Sequence, residues 1–313
     1  MNSHVGLVPF FKRGDIGGLT YLVTNNIVNY LIVIATLSGV LKWPDKVVFG
    51  YVIPGMSIGL FLGCCYYAWM GYRISKRDQR PDVTALPSGV STTAMFVMLY
   101  GVIMPLSYAV EDPMVAWSAA MAACFLGGVI EFVGGIVGPW MKKRIPRAAL
   151  LGTVAGIGFI WMATEGVFDF PKKIPPLVVA IVGGIVYAFC LGRTQVDFSD
   201  IGFYIPNPVN SIQYMIDGFA VIVPYLAVII PVEIYNFIET MDNVEGANAA
   251  GDEYSVRQAQ FADGVFTMIS ACFGGVVPNT VWLGHVSLKR TGAGVGYSVI
   301  AGIILLLAGV LGL

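Results

Sequence analysis

Charge is what this chain has least of. Only 12% of its 313 residues are Asp, Glu, Lys or Arg, about half the share of an ordinary soluble domain. Apolar side chains stand in their place: 57% of residues are hydrophobic and the mean hydropathy is +0.76. That excludes a soluble enzyme and a disordered chain. The formal net charge is −1, so no basic surface tracks phosphates and nucleic acid is excluded as a partner. Histidine is nearly absent, with His4 and His285 alone, which excludes a multi-histidine metal site. The cysteines (Cys64, Cys65, Cys124, Cys190 and Cys272) sit inside apolar runs without metal-ligand spacing, and read as small buried hydrophobes. The N-terminus lacks the pattern of a cleavable signal peptide. No nucleophile–base pair, metal cluster or phosphate loop is legible, so the expectation is a non-enzyme with no metal and no cofactor.

What is present is a succession of long apolar runs separated by short polar or Pro-bearing punctuation. They fall near 19–41, 47–72, 83–108, 115–140, 148–168, 175–192, 215–231, 232–250, 258–277, 278–290 and 294–313. At roughly 20 residues per membrane-spanning helix, the chain reads as an all-α polytopic membrane protein of about eleven transmembrane segments. The stretch 193–214 holds Pro206 and Pro208; a regular helix is not expected there, and it is assigned to the membrane surface. With the N-terminus inside, the inside segments carry Lys12, Arg13, Arg73, Lys76, Arg77, Arg80, Lys142, Lys143, Arg144, Arg147, Arg193, Arg257, Lys289 and Arg290. The outside segments carry only Lys42, Lys46, Lys172 and Lys173. This asymmetry sets a cytoplasmic N-terminus, and short loops point to a bacterial inner membrane.

Two spans are broken. The third opens RPDVTALPSGVSTT, with Pro87 before Ser88 and Gly89. The tenth reads FGGVVPNTVWLGHVSLKR, with Gly274, Gly275 and Pro278. Irregular backbone at membrane depth survives only where it lines a protein cavity. Two such segments in matching positions of two halves point to a transporter site. Their offset of seven spans is odd, so the halves are expected to be inverted.

Carboxylates and amides at membrane depth are functional candidates. The eighth span, PVEIYNFIETMDNVEGANAAGD, is the densest. Glu233, Asn236 and Phe237 share one helical face there. Glu239, Asp242, Asn243 and Glu245 read either as site residues or as a wet helix end. Glu131, Glu165 and Asp263 are further intramembrane acids, Asp263 reading as a packing or relay residue. Asn25 and Asn26, in TNNIVN, are placed in the protein interior. His285 reads equally as a site residue or as an interface residue near the cytoplasm.

The stretch VEIYNFIETMDNVEGANAAGDEYSVRQAQFADGVFTMISACFGGVVPNTVWLGHVSL resembles spans eight to ten of the nucleobase–ascorbate transporter family, the nucleobase–cation symporters that include uracil, xanthine and azaguanine-type permeases. It shares an acid opening span eight (Glu233), Ala262-Asp263-Gly264 in span nine and Pro278-Asn279-Thr280 in span ten. DIGGLTYL and ALPSGVSTTAMF add a weaker likeness near the N-terminus. The resemblance implies two inverted seven-span repeats with short strands in spans three and ten. It implies core-domain spans 1–4 over 1–147, gate-domain spans 5–7 over 148–231 and core-domain spans 8–11 over 232–313, the last three gate spans being absent. Substrate would lie between the two broken spans, against Glu233, with Ser88, Gly89, Thr280, Gly284, His285, Asn25, Asn26 and Asn236 around it. The family's second span-eight polar contact falls on Phe237 and its span-ten acid or amide on Gly284.

The function so implied is proton-coupled uptake of a nucleobase-like solute, with Glu233 and Asp263 carrying the proton. Alternatives are a small-anion carrier on the same fold and a shortened, non-transporting membrane anchor or partner subunit. The expected partners are the solute, a coupling cation, the lipid bilayer, and either a second copy or a chain supplying the remaining spans.

Overall fold

A computed structural model of the chain describes residues 7–110, 112–145 and 202–312, with a few scattered positions between 152 and 191. The expected spans at 148–168 and 175–192, and Glu165, lie outside the described residues. Among those described, α1 (Gly14–Val40), α2 (Asp45–Asp78), α3 (Thr92–Val110) and α4 (Pro113–Lys142) are long and apolar enough to cross a membrane, as is Val223–Ala249. The regular part of that last helix is α6 (Leu226–Ala249). The others are α5 (Pro208–Val221), α7 (Val256–Cys272), α8 (His285–Arg290) and α9 (Gly296–Leu311). Two three-residue strands, β1 (Ser88–Val90) and β2 (Asn279–Val281), complete the set. The architecture is that of an all-α polytopic membrane protein with two broken spans.

Local sequence explains the helix starts and irregularities. Asp112 caps α4 by accepting from Met114 N at 2.9 Å, with Pro113 at the first helical position. Asn207 does the same for α5 with Pro208. The expectation of no regular helix around Pro208 is thereby corrected: proline at the first position initiates a helix, because the missing N–H has no intrahelical partner there anyway. In α2 and α3 a wider turn (Val48–Val52 and Met98–Ile103) comes just before a proline, Pro54 or Pro105. Proline removes an i→i−4 bond, and the widened turn reroutes the neighbouring carbonyls. Pro231 was expected to part spans seven and eight, yet it lies inside α6, so one helix runs through that boundary.

Glycine sets the two most extensive helix contacts, α4 with α7 and α2 with α9. A Cβ on Gly128 would lie 2.7 Å from the Gly264 carbonyl oxygen, and one on Gly302 would lie 2.8 Å from Cys64 Cβ. Small residues let helix backbones approach where lipid gives no hydrophobic drive to associate. In chain order α1–α2–β1–α3–α4 and α6–α7–β2–α8–α9 show the same succession of two helices, a strand and two helices. α5 packs on α4, with Gly218 against the Ser118 backbone and the Tyr214 ring centroid 5.5 Å from that of Trp117.

Four of the basic residues assigned to one side of the membrane, Lys12, Arg80, Lys142 and Lys289, lie at one end of the described residues. Lys12 Nζ donates to Pro81 O at 2.5 Å, Arg80 and Lys289 both pair with Asp252, and Lys142 pairs with Glu245.

Candidate functional site

β1 and β2 run antiparallel at the heart of the molecule, with Ser88 opposite Val281, Gly89 opposite Thr280 and Val90 opposite Asn279. Ser91 N to Pro278 O (3.2 Å) and Trp282 N to Pro87 O (2.8 Å) extend the pairing at both ends. Each strand breaks a span, and its exposed backbone groups need partners from neighbouring helices. α1 supplies them to β1: Asn26 Oδ1 accepts from Val90 N at 3.1 Å, and its Nδ2 reaches Ser88 O at 3.4 Å. α6 supplies them to β2: Asn243 Nδ2 donates to Val281 O at 2.6 Å and Asn236 Nδ2 reaches Asn279 O at 3.4 Å. α7 completes the support, as Asp263 Oδ2 accepts from Val281 N at 2.9 Å and Thr267 Oγ1 from Asn279 N at 3.0 Å.

Beyond β1 the chain turns into α3. The Ser91 side chain caps that helix, accepting from Ala94 N at 3.4 Å, and donates to Glu239 Oε2 at 2.7 Å. Thr92 Oγ1 donates to Asn29 Oδ1 at 3.3 Å. Beyond β2, Trp282 and Leu283 lead to Gly284, whose φ of +146° favours glycine, and then to α8. The Trp282 ring lies 5.0 Å from that of Tyr21. The crossing therefore presents the N-terminus of a long helix, hydroxyls, amides, one aromatic pair and the carboxylate of Glu239, with that of Asp263 bonded to β2.

The structure brings together Ser88, Gly89, Thr280 and Asn26, with Asn25 one residue before Asn26. Asn236 is also there, but shared: its Nδ2 donates to Glu131 Oε2 at 2.5 Å as well. Asp263 supports β2 and accepts hydrogen bonds from Tyr67 and, at 3.2 Å, from Thr240. Glu233 and Phe237 lie elsewhere, on the face of α6 packed against α4. A Cβ on Gly127 would fall 2.4 Å from the Glu233 carboxyl carbon, and one on Gly134 would fall 2.3 Å from Phe237 Cδ2.

His285 is buried and turned away from the strands, with Nε2 3.1 Å from Asp252 Oδ2. Asp252 lies in the turn between α6 and α7 and also receives Arg80 Nη2 (2.7 Å), Lys289 Nζ (2.5 Å) and Thr84 N (3.2 Å). Burial pushes its carboxyl up, and the His285 and Lys289 partners outweigh this and hold it below its ordinary value.

Ser91 and Thr240 are contributors that the sequence does not single out, and Glu239 and Asn243, open between site and wet helix end, contact the crossing. A signal exists: Asn236, Thr240 and Asn243 recur at i, i+4 and i+7, the spacing of one helical face. A cleft of about 580 Å³ opens at the basic end between Arg77, Lys142, Glu245, Asn248 and Glu253, apart from the crossing.

Among solved structures, the chain resembles the transmembrane domain of a cyanobacterium bicarbonate transporter, BicA, with a TM-score of 0.56 at 16% identity. The match covers 96% of this chain and 83% of that one. No family model and no curated protein matches. The fold is thus that of a transporter transmembrane domain, and the chain is a multi-pass membrane protein.

Proposed function

We propose that the chain is a secondary carrier that binds a small polar solute at the crossing of β1–α3 and β2–α8. The observation that carries this reading is the Glu239 carboxylate at the N-terminus of α3, held by Ser91 beside backbone amides and buried side-chain amides. Helix N-termini and unwound backbone supply hydrogen bonds that a solute meets without reorganisation. A nucleobase-like ring suits this set. It would donate N–H groups to Glu239, accept from backbone amides near Ser91, and stack beside Trp282. A proton would accompany it. Residues 1–147 and 232–313 would form the core, and 148–231 the gate that rocks past it.

A second reading, a small anion on the same fold, is favoured by the bicarbonate transporter likeness. Against it, the crossing has no Lys or Arg among the described contacts, and an anion would meet Glu239. Thermal-shift binding of the purified protein to purines, pyrimidines and small anions separates the two. In Glu239→Gln a nucleobase is expected to lose at least about tenfold in affinity, the loss of a charge-assisted hydrogen bond. An anion is expected to bind equally or more tightly. Glu233→Gln is expected to leave either unchanged. Stabilisation by no solute in the panel would overturn the carrier reading.

A further inference from the structure

At the basic end, the seam between α2 and α7 carries a strip of aromatic rings that leads into a cleft. The Phe266 ring of α7 lies 5.8 Å from that of Tyr66 on α2, and Tyr66 lies 5.2 Å from Trp69. The Arg73 guanidinium ends the strip, 4.8 Å over the Trp69 ring. Trp69 is 46% exposed, so the strip reaches the surface of the described residues. Arg77 follows Arg73 by one turn on the same helical face. Between these two arginines and the start of α7 opens a cleft of about 280 Å³, with Met70 and Ile74 as its apolar wall and Ser255 and Gln258 opposite. Arg77 and Ser255 also line the larger cleft beside it.

The two arginines differ. Arg77 is engaged: its Nη2 donates to Asp78 Oδ2 at 2.9 Å and lies 4.0 Å from Glu253. Arg73 is in none of the ion pairs among the described residues. Its pairing with a ring recurs nearby. Arg144 lies 3.9 Å over Trp140 at the end of α4, and Arg257 lies 5.2 Å over Phe261 at the start of α7. Each pair is four residues apart, and the order reverses on α7, which starts where the other two helices end. Every ring therefore lies toward the crossing part of its helix and every arginine toward the end. That is the layering of a lipid–water boundary, where aromatic rings sit at headgroup depth and cations meet the phosphates.

We propose that the α2–α7 seam is a binding site for an anionic phospholipid, its phosphate held by Arg73 with Gln258 beside it and an acyl chain lying along Trp69, Tyr66 and Phe266. The guanidinium fork matches phosphate oxygens, and stacking on Trp69 fixes it in place before the lipid arrives. The cleft sets two arginines against one acid, Glu253. This surplus of positive charge favours a headgroup of net negative charge over a zwitterionic one. A free phosphate would leave the aromatic strip without a use, whereas a lipid engages both the strip and the cleft. The site lies apart from the solute crossing and does not rest on the carrier reading.

The test is the melting temperature of the purified full chain in an uncharged detergent, without solute. It is titrated with phosphatidylglycerol, with phosphatidylcholine and phosphatidylethanolamine of the same acyl chains, or with inorganic phosphate. Phosphatidylglycerol is expected to raise it saturably, by about 3 °C more than either zwitterionic lipid, and inorganic phosphate to leave it unchanged. Arg73→Gln should need at least about tenfold more phosphatidylglycerol for the same rise, and Trp69→Leu should weaken binding in the same direction. Arg290→Gln, an exposed residue of α8 with the same change of charge, should behave as the unaltered chain. Should one seam variant fail to fold, the other reads the same site. Equal rises with all three lipids overturn the proposal. An equal rise with inorganic phosphate also overturns it, since the cleft would then be a site for a free anion. A loss in Arg290→Gln as large as that in Arg73→Gln overturns the location, leaving a diffuse basic surface. Because no solute is present, failure of the carrier reading leaves the outcome readable.

Discussion

The Ser91 hydroxyl donates to Glu239 Oε2 at 2.7 Å, joining the cap of α3 to the middle of α6 across 148 positions of sequence. One side chain thereby starts the half-helix and orients the acid of the crossing. Ser91→Ala removes both roles. It is expected to cost about 1 kcal/mol of stability through the lost cap and to weaken solute binding about fivefold through the loosened acid. Ser91→Thr should restore most of each. Thermal melts and titration calorimetry on the three proteins check this.

Gly127→Ala should destabilise, against the usual benefit of alanine in a helix. The new methyl would meet the Glu233 carboxylate at 2.4 Å, and overpacking of this kind costs about 1–3 kcal/mol. Gly39→Ala, with nothing within 4 Å, is the control and should gain up to about 1 kcal/mol. The sign difference between the two melts is the result to look for.

Asp252 predicts an acid limb. Its folded-state value lies below the ordinary 3.8, so its contribution is complete above pH 4 and is lost as pH falls through the lowered value. The unaltered chain should therefore lose melting temperature below about pH 4 more steeply than Asp252→Asn. At neutral pH the variant should be less stable by about 3 kcal/mol, because Arg80 and Lys289 lose their shared buried partner.

Asn26→Leu keeps bulk but strips β1 of the side chain that bonds Ser88 O and Val90 N. A loss of about 2 kcal/mol is expected, with faster amide exchange confined to 88–91. Hydrogen-exchange mass spectrometry would show it.

Much of this was legible in the residues. Pro87-Ser88-Gly89 and Gly274-Gly275 with Pro278 announce broken spans, because proline and paired glycines cannot continue a helix at membrane depth. The strand pair forms where they announce it. What was hidden is which way each polar side chain points. Glu233 and Glu239 sit six residues apart on α6, and hydropathy cannot tell them apart, since both face protein: Glu233 lies against Gly127 of α4 and Glu239 against Ser91 at the start of α3. His285 was ambiguous for a related reason: its partner Asp252 lies 33 positions away in a turn. Pro208 misled because proline stops one helix and starts another, and only the Asn207 cap decides between them.

The approach to β1 and the exit from β2 are sewn together at the basic end. Ala85 N bonds Gly294 O, Thr84 Oγ1 bonds Ala293 O, Tyr297 Oη bonds Ala85 O, and Tyr254 Oη bonds Thr84 O, with Asp252 knotting Arg80 to Lys289. Kinematically this removes the hinge that two broken helices would otherwise offer. The crossing has no scissor motion to make, and a distance measured between labels at 84 and 293 should stay constant through any working cycle. On the proposed carrier function, the surroundings of this block would be what alternates, and the solute would ride with it as cargo on a rigid carriage.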